Sequence, residues 1–151
     1  MGELTARARE GLRGSGWFEG RQVPIDAALD AWREIDRVPG PAALAAAREF
    51  TGLRLTHPHY WTKTLDDFTD IDPVAAVGRT WLPVLTGEYE AAAGEPLSPL
   101  GLTRYGMQIF LGASGAVYGG HSPYLGTYGD SFHAFLNLLH SDRRPTTLSG
   151  T

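Results

Sequence analysis

Two imidazoles stand two residues apart at His57-Pro58-His59. On an extended segment both face one side, where they could chelate a metal ion. A zinc site needs a third ligand, and the chain has no cysteine to offer one. His121 or the Asp66-Asp67 pair would have to be brought in by the fold, so the two histidines are read as an ordinary half-buried pair. No metal and no cofactor are expected. Gly112-Ala113-Ser114-Gly115 sets two glycines around a serine but lacks the lysine and the strand-to-helix setting of a phosphate loop. A hairpin turn explains it, and Ser114 is a turn residue rather than a nucleophile. A Ser-His-Asp set can be drawn from five histidines and 17 acids, yet no nucleophile elbow selects one. No catalytic residue is assigned, and the chain is not expected to be an enzyme.

Asp66, Asp67, Asp70 and Asp72 place four acids within seven residues, with no basic residue between Lys63 and Arg79. Structurally this reads as a solvated loop whose last acid, Asp72, caps a helix opened by Pro73. Functionally it reads as a surface that steers a basic partner, because like-signed charges focus potential and raise encounter rates. Tyr60 and Trp61 precede the cluster and Phe68 lies inside it, and large rings beside acids suit an interface anchor. The partner-binding candidates are therefore Asp66, Asp67, Asp70, Tyr60 and Trp61.

These residues must be held by elements that the hydrophobic periodicity outlines. Leu4, Ala8 and Leu12 recur every four residues and predict a helix over 3–13, stopped by Gly14-Ser15-Gly16. Ile25, Ala28, Leu29, Trp32 and Ile35 give a second helix, and Pro41 opens a third that runs to Phe50 and is closed by Gly52. From Leu53 the period falls to two, with Leu55 and His57 on one side, and a strand begins. Leu82, Leu85 and Tyr89 mark a longer helix ending near Gly94, in which Pro83 is awkward. Met107 to Leu111 and Ala116 to Tyr118 flank the Gly112–Gly115 turn and read as a hairpin. Phe132, Phe135, Leu136 and Leu139 form a closing helix capped by Asp130 or Ser131, and residues 141–151 are read as a frayed polar tail.

At 151 residues, 42% hydrophobic, the chain is one domain over 1–140 with enough apolar surface for a core. Helices followed by strands and one final helix make it α+β. The net charge of −4 disfavours a nucleic-acid binder. No segment approaches a membrane span, and Met1-Gly2-Glu3-Leu4 begins no signal peptide. The absence of cysteine fits a reducing compartment, with the cytoplasm as the expectation.

Gly16-Trp17-Phe18-Glu19-Gly20-Arg21 resembles the Gly-Trp-x-x-Gly-Arg signature of the third subfamily of the SUKH superfamily. Gly52-Leu53, Pro96-Leu97, Gly101, Met107 to Gly112, and Gly115-x-Val117-Tyr118-Gly119-Gly120 follow in the order expected of that subfamily. The similarity runs from about residue 10 to 140. It implies helices leading into a mainly antiparallel, curved sheet. It also implies a bacterial immunity protein of polymorphic toxin systems, acting in the cytoplasm by covering a cognate toxin domain such as a nuclease or a nucleic-acid deaminase. Gly16, Trp17, Gly20, Arg21, Gly119 and Gly120 are then structural: Trp17 buried at a helix exit, Arg21 holding carbonyls or a carboxylate. The run from Thr56 to Asp70 matches no pattern of the family, and variable loops are where partner choice is expected. Two other classes remain: a non-catalytic regulatory scaffold for an endogenous protein, and a small metal-dependent hydrolase.

Overall fold

In the computed structural model, which describes residues 3–150, Thr5 accepts the amide of Ala8 and starts α1 (Ala6–Gly14). The readings that touch Met1, Gly2 and Thr151 lie outside the described residues. The helices α2 (Asp26–Glu34) and α3 (Pro41–Phe50) follow, the latter with its proline in the first turn, where a missing N–H costs nothing. Then come β1 (Arg54–Pro58), β2 (Asp66–Ile71) and the short α4 (Pro73–Gly78), capped by Asp72 through Ala75 N at 3.1 Å. The next helical stretch is α5 (Leu82–Val84), a π-helical segment over Leu85–Tyr89, and α6 (Glu90–Ala93). It begins at Leu82, so Pro83 occupies the first turn and the conflict expected from it does not arise. The strands β3 (Leu97–Thr103), β4 (Gln108–Gly112), β5 (Val117–His121) and β6 (Tyr124–Gly129) lead to α7 (Phe132–Leu139), capped by Ser131, and to β7 (Thr146–Ser149).

The seven strands form one open sheet in sequence order, each antiparallel to the next. Alternation along β4 and β5 sends side chains to two cores. Ile109, Leu111 and Val117 join Leu12, Trp32, Phe50 and Phe135 from α1, α2, α3 and α7. Phe110 and Tyr118 face the other way, onto Leu85 and Tyr89 of the π-helical segment. Trp32 is fully covered, and its indole donates to Pro99 O at 2.7 Å, beside the register shift of β3.

Two expectations are corrected. The acidic run is not a loop: Asp66 to Ile71 is strand β2, paired with β1 from Arg54↔Asp70 to Pro58↔Asp66. An alternating strand divides its acids between faces, and here Asp67, Thr69 and Ile71 turn inward. Nor is the end of the chain merely frayed, because residues 146–149 pair with β6 and complete the sheet.

Candidate functional site

A cleft of about 420 Å³ opens at one end of the sheet, on the face that elsewhere carries α1, α2, α3 and α7. All its walls come from strands and the loops joining them. The β1–β2 loop supplies His59, Tyr60 and Trp61, the β3–β4 turn supplies Tyr105, and the β5–β6 hairpin supplies His121 and Tyr124. Asp67, Tyr128 and Thr147 reach it from β2, β6 and β7.

A chain of hydrogen bonds fixes the β1–β2 side. The Pro58 carbonyl can only accept, so His57 Nδ1–H donates to it at 2.7 Å. Burial, the largest influence, pushes the His57 pKa down to about 4, so the ring is neutral and Nε2 accepts from the Thr69 hydroxyl at 2.8 Å. Thr69 Oγ1 then accepts from Tyr60 OH at 2.6 Å. Tyr60 is only 2% exposed and packs edge-on to Tyr128, ring centroids 4.8 Å apart. It is a core residue whose ring borders the cleft, not the exposed anchor that its neighbourhood in sequence suggests.

Tyr128 packs against Gly119, where an added Cβ would come within 2.6 Å of its ring, and donates to Met107 Sδ at 3.2 Å. On the other sheet face Gly120 makes room for Tyr89 in the same way. The two glycines therefore admit one tyrosine to each side of β5. Among the other signature residues, Trp17 is buried and donates to Glu49 Oε2 at 2.8 Å. Arg21 donates to the carbonyls of Glu49 (2.6 Å) and Thr51 (2.9 Å), and so clamps the exit of α3. Gly16 and Gly20 hold the intervening turn at φ 99° and 81°.

The four acids have four different settings. Asp66 is exposed, with no ion pair among the described residues. Asp67 is 4% exposed and its Oδ1 accepts the Phe68 amide at 2.7 Å. Burial raises its pKa, against the pull of that amide and of the backbone amide and guanidinium of Arg104. Asp70 is ion-paired with Arg54, whose guanidinium covers the Phe68 ring at 3.8 Å. Asp72 is the cap of α4. Trp61, at 38% exposure, presents its ring from a loop held at both ends: His59 Nδ1 accepts the amides of Trp61 (3.2 Å) and Thr62 (3.1 Å), and Arg144 Nε donates to Trp61 O at 2.8 Å.

The structure does not bring His57 and His59 to a common ion, since their ring nitrogens face Pro58, Thr69 and the loop amides. Among the described residues no group of three or more His, Cys, Asp or Glu side chains is placed to hold a metal. No described helix is long and apolar enough to cross a membrane. Tyr105, Tyr124 and Tyr128 escape a sequence reading because they come from the β3–β4 turn and from the two ends of β6, far from the β1–β2 loop in the chain. The available signal is the pair of glycines at 119 and 126, which leave room for the rings of Tyr128 and Tyr124 against the sheet.

A protein-family model described as SUKH-3 immunity protein matches residues 4–142. Neither the curated proteins nor the solved structures give a match.

Proposed function

Starting from the chain's membership of the SUKH-3 immunity protein family, we propose that it binds a cognate toxin domain of a bacterial polymorphic toxin system in the cytoplasm and neutralises it by covering its substrate face. The family match, spanning most of the chain, carries this reading. Catalysis is no part of it. The contact surface is the rim of the cleft, with Trp61 as the projecting ring, Asp67 as the acid and Tyr60 as the support beneath them, while Asp66, on the outward face of β2, contributes its open charge to steering. Asp70 contributes less than its sequence position suggests, because Arg54 neutralises it.

The net charge of −4 suits a toxin that handles nucleic acid, such as a nuclease or a deaminase, since such an enzyme presents a basic face to phosphates. The test is co-expression with the product of the gene neighbouring this chain's own, which this reading expects to be a toxin domain. Protection of growth together with a stoichiometric complex is expected. Toxicity undiminished, with no complex, overturns the reading.

A further inference from the structure

Asp67 is a nearly covered carboxylate on the wall of an aromatic cleft, and no cation lies within ion-pair distance of it among the described residues. Trp61 and Tyr105 stand exposed around it, at 38% and 53%, and Tyr124 borders the far side. Arg104 is the cation nearest in sequence to these rings. Its guanidinium sits 5.5 Å from the Tyr105 centroid and acts on Asp67 through its field, outside ion-pair distance among the described residues. The other titratable side chains on the cleft are His59, whose Nδ1 is occupied by two amides, His121 and three tyrosines besides Tyr105.

We propose that this cleft receives an arginine side chain of the toxin domain, with its guanidinium on Asp67 and its plane against Trp61 and Tyr105. The proposal rests on the immunity reading and adds the chemistry of the contact. Charge selects the occupant. An apolar side chain would seal a carboxylate away from water with backbone amides but no cation to balance its charge, which is costly, and an acidic one would be repelled. A planar cation satisfies both parts of the site, since guanidinium forks onto carboxylate oxygens and stacks on aromatic faces, whereas an ammonium does only the first well. The cleft's volume of about 420 Å³ accommodates a long side chain with its water.

The test uses the full chain and small probes, so that it does not depend on any toxin. N-acetyl-arginine amide, N-acetyl-lysine amide and the neutral isostere N-acetyl-citrulline amide are titrated while the Trp61 indole and Tyr105 ring resonances are followed by NMR. The arginine probe should shift both rings and bind about fivefold or more tightly than citrulline. Asp67→Asn should erase that preference. Should Asp67→Asn fail to fold, Tyr105→Ala, at an exposed ring, should weaken the arginine probe and leave the fold intact. Equal binding of citrulline and arginine, tighter binding of lysine, or shifts confined to other residues would overturn the proposal. Co-expression with the toxin domain tests the immunity reading separately, so the two can fail independently.

Discussion

Arg54 and Asp70 face each other across the β1–β2 register and meet as a fork, Nε to Oδ1 at 2.8 Å and Nη2 to Oδ2 at 3.0 Å. The acidic run is thus partly neutralised from the neighbouring strand, a partner more than ten residues away in the chain. Of the three acids assigned to a partner surface, one is paired, one is nearly covered and one is open.

That division predicts three kinetic signatures against the toxin domain. Asp66→Asn should lower the association rate at low salt and do less as salt rises, because an exposed charge acts through a screened field. Asp67→Asn should act mainly on dissociation, as expected of a group buried in the contact. Asp70→Asn should change either rate least. Surface-resonance kinetics at two ionic strengths separate them, and equal effects from all three would refute the assignment.

Trp17 joins α1 to α3 through its buried ring and its bond to Glu49. Trp17→Ala should cost about 3–5 kcal/mol of stability. Trp17→Phe keeps much of the burial but loses the donor, for about 0.5–1.5 kcal/mol. Urea unfolding measures both. Unchanged stability with lost toxin binding would make Trp17 a recognition residue instead.

His57 makes stability depend on pH. Its folded-state pKa of about 4 lies below the ordinary value of 6.5, so in acid the unfolded chain takes up a proton that the folded chain refuses. The contribution is complete above pH 6.5 and is lost as the pH falls towards 4, by about 3 kcal/mol. His57→Gln should be less stable at neutral pH and show a shallower decline. A native protein equally stable at pH 7 and pH 5 would rule this out.

Gly119 and Gly120 should separate function from stability. Either Ala variant forces a methyl against a tyrosine ring, at about 1–3 kcal/mol. Gly119→Ala displaces Tyr128 and reshapes the cleft, so partner affinity should fall beyond what unfolding explains. Gly120→Ala disturbs Tyr89 on the opposite face and should leave the affinity of the folded fraction intact. Thermal melts paired with binding titrations decide between them.

The parts legible in the sequence were those where one local pattern dominates. The helices of the first fifty residues, the β4–β5 hairpin, the Asp72 cap and the Ser131 cap follow from periodicity and end chemistry. Strand β3 was obscured because it is buried on both faces and interrupted by Pro99 and Gly101. Gly101 lies so close to the Asp70 carbonyl that a Cβ would clash with it. Strand β2 is hidden in the sequence because Asp67 points inward, against the alternation that marks a half-buried strand. Trp61 and the acids stand out in the sequence, but the cleft does not. Its shape depends on Tyr105, Tyr124 and Tyr128, which only sheet pairing brings beside them.

The wall contributed by the last strand has a modular character. Thr147 lines the cleft and Arg144 steadies the Trp61 loop, yet neither belongs to either packed core, and both follow residue 142, where the family match ends. Exchanging the residues after 142 would therefore alter one side of the cleft and its supporting strap, while His140, which packs against Gly11 of α1, and both hydrophobic cores would keep their residues. A scaffold arranged this way can vary one wall of its cleft without reopening the question of how it folds.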